Sequence, residues 1–147
     1  MIPYFDFGFL ASLIVKRPNS AAAWRIVQPF PPPYFINWLH CIQVETMFVR
    51  GQLEGDPDLE KAVLYGTNLW RFYQQEGVFQ VQEIDWDAAF RLSLNLAKRS
   101  NVPKLQPSIV LHVAAAVMGA ATHFLSFDPR ARQISTMAGL KALPETR

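Results

Sequence analysis

Two acidic residues stand where chemistry could be done. Asp6 lies inside the apolar run YFDFGFL, where a carboxylate is costly to desolvate unless a metal or the backbone donors of a following helix satisfy it. Asp128 follows LSF and precedes Pro129, so it ends an apolar strand and opens a helix, which is also the ordinary signature of an N-cap. Acids at strand ends are the raw material of a divalent-cation site. Hard cations such as Mg²⁺ want anionic oxygens and are held by one or two carboxylates together with substrate phosphate. His40 and His112 each follow a leucine in an apolar helical stretch. A histidine there can ligate a metal, but its commoner role is that of a hydrogen-bonded packing residue. No CxxC, HExxH or glycine-rich phosphate loop occurs.

The chain that must position these groups has 147 residues, 50% of them apolar and 18% charged, which excludes disorder and fits one domain over 1–147. A net charge of +2 admits a nucleic-acid partner without establishing one. The single cysteine, Cys41, allows no intrachain disulfide and suits a reducing cytoplasm. The apolar opening MIPYFDFGFLASLIV lacks the basic n-region and cleavage site of a signal peptide, and no window reads as a membrane span.

Short apolar runs alternate with helical patterns from end to end. Strands are expected at Ile2 to Phe7, Tyr34 to Ile36, Val78 to Ile84, Thr122 to Phe127 and Leu140 to Leu143. Helices are expected over Ala21 to Gln28 behind Asn19 and Ser20, and over Asn37 to Leu53, ending near Gly51 and Gly55. Further helices run from Pro57, with Asp56 as N-cap, to Gln75, and from Asp85 to Arg99. The last two begin at Pro107 and after Asp128. Strands separated by helices of this length pair in parallel through right-handed crossovers, which gives a three-layer α/β domain. In such a sheet, chemistry sits at the carboxyl ends of the strands, where Asp6 and Asp128 fall.

Four strings, YFDFGFLASLIV, WLHCIQVETMFVRGQ, SIVLHVAAAVMGAATHFLSFD and AGLKAL, cover essentially the whole chain. Together they resemble the PIN domain of VapC-type toxins. The resemblance implies a five-stranded parallel sheet in the order 3-2-1-4-5. It also implies a Mg²⁺- or Mn²⁺-dependent endoribonuclease built on four acidic residues, with a Ser or Thr beside the first. Carried across, the first acid falls on Asp6 and the last on Asp128. The glutamate falls on Gln43 and the remaining aspartate on Ile109, while the hydroxyl positions fall on Phe7 and Gly8. Gln43 keeps a hydrogen-bonding shape without charge, and Ile109 keeps neither. Glu45, two positions further along the helix, points to the other side and cannot substitute.

The expectation is therefore a protein descended from a metal-dependent ribonuclease, with metal binding and cleavage impaired or lost, that dimerises and binds an antitoxin or RNA. The alternatives are an active ribonuclease with a reduced site of Asp6, Gln43 and Asp128, and a structural module with no ligand. Arg50, Arg130 and Arg132 lie where relatives of this kind carry basic residues and are expected to hold RNA phosphates. For Arg130 and Arg132, a place near a helix N-terminus gives no dipole benefit, which favours a functional use. In the aromatic helix, Leu59, Val63, Gly66, Trp70 and Tyr73 form the core stripe. Leu64, Tyr65 and Phe72 lie off it, as a homodimer or antitoxin surface would.

Overall fold

The protein is described from a computed structural model covering residues 1–53 and 57–145, without the side chains of residues 52 and 53. Glu54, Gly55 and Asp56, the expected helix stop and N-cap, lie outside the described residues. The chain is mixed α/β, with seven helices and five short strands among the described residues. No helix of the described residues is long and apolar enough to cross a membrane.

Strand β1, Pro3–Phe5, turns at once into helix α1, Phe7–Ile14. The turn is made by Asp6, whose side chain accepts from the Phe9 amide at 2.8 Å and so caps the helix. The strand expected through Phe7 thus stops two residues early, because the buried carboxylate takes helix donors. Helix α2, Ser20–Val27, leads to β2, Tyr34–Ile36, then α3, Trp38–Leu53, and α4, Pro57–Gln75. Gly77, at φ 73°, closes α4 in the left-handed region that suits glycine. Gly51 ends nothing: it is a buried residue of α3, and a Cβ there would collide with Val63 of α4. It is a point of close helix approach.

The second half runs β3, Phe79–Val81, α5, Trp86–Arg99, α6, Pro107–Met118, β4, His123–Leu125, α7, Pro129–Met137, and β5, Lys141–Leu143. Asp85 caps α5 through the Ala88 amide at 3.0 Å, and Asp128 caps α7 through the Arg130 amide at 2.9 Å. Both caps fall where the sequence puts them.

All strand pairs are parallel, but they form two ladders, β1-β4-β5 and β2-β3, where one five-stranded sheet is expected. Backbone alternation explains the gap. Ile2 and Asp6 bond to β4, so Pro3 and Phe5 are left to face β2. Proline has no N–H to give, and the Phe5 carbonyl is taken by the His40 ring at 2.7 Å. Side chains cross this seam instead, with the Phe5 and Tyr34 rings edge to face at 5.4 Å.

Helices cover both faces. Phe5 and Leu125 point into a core shared with α1 to α4, whereas Tyr4 and Phe124 point into a second core shared with α5 to α7. The α6 run from His112 to Ala116 is buried throughout, as its nearly continuous apolar sequence implies.

Candidate functional site

Parallel pairing of Phe5 with Leu125 puts the residues after them, Asp6 and Ser126, side by side at the carboxyl end of the ladder. The Ser126 hydroxyl donates to Asp6 Oδ2 and accepts from the Asp128 amide at 3.0 Å, tying the two strand ends together. A hydroxyl beside the first acid is thus present, supplied by the residue that follows β4 and not by Phe7 or Gly8. The string SFD carried that signal, but only the ladder register reveals which side chain Ser126 meets.

A cleft of about 410 Å³ opens at this end of the ladder. Asp6, Phe7, Gly8, Gln43, Ile109, Asp128 and Arg130 all line it, so α1, α3, α6 and the β4 to α7 turn converge on one place. Ser12, Arg17 and Ser108 also line the wall and were not singled out from sequence. Their spacing relative to Asp6 carries no signal in one dimension: Ser12 sits on α1, Arg17 follows that helix and Ser108 sits in the first turn of α6. A second chamber of about 460 Å³ adjoins the first, sharing Phe7, Arg17 and Gln43 and holding Arg50. Glu45 lies instead in a separate apolar groove with Trp38, Ile42 and Phe90, as the helical spacing requires.

The two acids are in opposite electrostatic states. Burial pushes Asp6 up to about 6, against the lowering effects of Ser126, the Phe9 amide and nearby Arg132, and Asp128 adds a further upward push. Burial also works against Asp128, but the Arg130 guanidinium and the amides of Arg130 and Ala131 outweigh it and hold that carboxyl below its usual range. Arg130 engages both Asp128 oxygens at 3.2 Å and donates to the Lys104 carbonyl at 3.0 Å. This corrects the expectation that Arg130 has no structural employment. Arg132 does not line the cleft: it donates to the Ser126 carbonyl at 2.9 Å, and its Nε is buried with no partner among the described residues.

Behind the cleft lies a buried polar cluster. Asn37 Oδ1 accepts from the amides of Leu39 and His40, leaving Nδ2 to donate to Tyr4 Oη at 3.0 Å. Tyr4 in turn meets His112 Nδ1 at 2.8 Å, and His112 Nε2 meets Gln43 Oε1 at 2.6 Å. His40 Nδ1 accepts from the Asn37 amide at 3.0 Å. Burial holds His112 well below the usual imidazole range and His40 at about 4, so both rings are neutral. They are hydrogen-bonded packing residues.

A resident Mg²⁺ or Mn²⁺ does not fit these donors. Both Asp128 oxygens are occupied by a guanidinium, both Asp6 oxygens by hydrogen-bond donors, and Gln43 Oε1 by His112. Ile109 adds no oxygen. Among the described residues, no group of three or more His, Cys, Asp or Glu side chains is arranged to hold a metal ion. No protein-family profile matches the chain, and no curated protein is significantly similar to it.

Proposed function

We propose that the chain is a PIN-like domain, similar to VapC toxins, that has lost metal-dependent RNA cleavage and retains binding of single-stranded RNA. One observation carries the reading: the four positions that the resemblance assigns to acids, Asp6, Gln43, Ile109 and Asp128, line a single cleft although they are scattered through the sequence. Two of the four lack a carboxylate, and a guanidinium neutralises a third. Arg17 and Arg50 along the two chambers supply cationic contacts for a phosphate backbone. The strand order 3-2-1-4-5 belongs to the same proposal, with β2-β3 set beside β1 across the side-chain seam.

Partners of the protein chain type are part of it as well. Leu64, Tyr65 and Phe72 on α4 are 64%, 65% and 52% exposed and offer a surface to a second copy or an antitoxin. The resemblance also carries a cytoplasmic location, which suits the lone free thiol of Cys41.

The test is fluorescence anisotropy of labelled single-stranded RNA in EDTA, run beside a cleavage assay in Mn²⁺. Salt-sensitive binding without cleavage is expected, weakened by Arg50→Ala. Mn²⁺-dependent cleavage that disappears in Asp6→Asn would instead establish the active enzyme with a reduced site. Absence of RNA binding at low salt would overturn the reading.

A further inference from the structure

We propose that the cleft takes a phosphoryl oxyanion directly, without a bridging cation, and that Gln43 is turned by the buried cluster to present its amide N–H groups to that oxyanion. The polarity can be followed atom by atom. Two backbone amides fix Asn37 Oδ1 as an acceptor, so Nδ2 donates to Tyr4. Accepting that hydrogen bond from Asn37, the Tyr4 hydroxyl donates its own O–H to His112 Nδ1. A neutral imidazole that accepts at Nδ1 carries its hydrogen on Nε2, so His112 donates to Gln43 Oε1. The Gln43 oxygen is thereby held at the buried side, and its Nε2 is left without a protein acceptor among the described residues, at a side chain that borders both chambers.

A glutamate at this position would offer the cleft an anion; glutamine under this constraint offers two donors. Arg17 borders the same two chambers, and the one side-chain hydrogen bond its guanidinium makes among the described residues is to Met47 Sδ at 3.3 Å. Its charge is paired with no carboxylate among the described residues. With Asp128 paired to Arg130 and the two Asp6 oxygens engaged by the Phe9 amide and the Ser126 hydroxyl, an amide and a guanidinium border the same space, which suits phosphate oxygens. The phosphoryl group is that of a nucleic acid chain or of a free polyphosphate. Only the first source rests on the function proposed above.

Calorimetry in EDTA with inorganic pyrophosphate, and anisotropy with a 5′-phosphorylated oligouridylate, separate the two sources. Both probes are expected to bind. Gln43→Met, which keeps the side chain's length but removes the donors, should weaken both about tenfold, the scale of one hydrogen bond to a charged group. Gln43→Glu should abolish both. Independently of ligand, ¹⁵N spectra of the histidine rings should show His112 protonated on Nε2. Protonation on Nδ1, or unchanged pyrophosphate affinity in Gln43→Met, overturns the inference. Oligonucleotide binding indifferent to Gln43→Met would leave the nucleic-acid reading standing and this one refuted. Pyrophosphate binding lost in Gln43→Met, with no oligonucleotide binding, would do the reverse.

Discussion

Asp6 is at once a helix cap and a carboxyl group held at about 6, and these two facts set opposite demands on it. The cap wants an oxygen acceptor; burial resists the charge. Asparagine meets the first demand without the second, so Asp6→Asn should stabilise the protein by about 1 to 3 kcal/mol at pH 8. The gain should shrink as pH falls from about 6 to about 4 and be gone only below the unfolded value near about 3.9, where aspartate is neutral in both states; urea midpoints across that range check it. Ser126→Ala removes a donor that favours the charged form, so the Asp6 carboxyl should titrate higher still by ¹³C spectroscopy. Stability at pH 7 should fall by about 1 to 3 kcal/mol. The missing acids make a third prediction. Gln43→Glu with Ile109→Asp should bind Mn²⁺ by calorimetry and melt at a higher temperature with the ion than without it, because the added carboxylates are costly unless paired. Asp6 and Asp128 were legible in the sequence as strand-end acids and caps. Ser126 and Arg17 were not, since their relation to those acids exists only through ladder register and the path of α1.

At the scale of elements, the punctuation of the chain was readable wherever a local side-chain to backbone bond decides it. Asp85 and Asp128 start helices, Pro107 and Pro129 occupy first turns, and Gly77 closes α4. What failed was length and close approach. β2 keeps its expected bounds, Tyr34–Ile36, but the other strands are shorter than the apolar runs containing them, because an apolar run continues into a cap or a buried turn without changing its pattern. The helix FGFLASLI gave no periodic signal, since six of its eight residues are buried. Gly51 reads as a stop in one dimension and is a contact in three. Adding a methyl there drives it into Val63, so Gly51→Ala should cost about 1 to 3 kcal/mol despite alanine's better helix propensity. A chemical denaturation curve with unchanged slope and a lower midpoint is the expected result.

Across the whole molecule, the neutral histidines make the fold sensitive to acid. Unfolded imidazoles take up protons below about pH 6.5. Folded His40 resists until about pH 4 and His112 resists too, so stability should be lost as pH falls through that window. Asp6 works the other way: its raised value means that the folded state gains a proton first, adding stability between about pH 6 and 4. Two groups oppose one, and the net expected outcome is a lower melting temperature at pH 5 than at pH 7. The seam between the ladders has a further consequence for how the molecule opens. Strand β1 meets β4 through its backbone but meets β2 through rings and the imidazole of His40. The β2-β3 pair can therefore detach without breaking a ladder, and amides such as Tyr34 and Gln82 should trade hydrogen for deuterium at a lower opening free energy than Asp6 and Ser126. A proline in the third position would then divide one domain into two cooperative units of exchange.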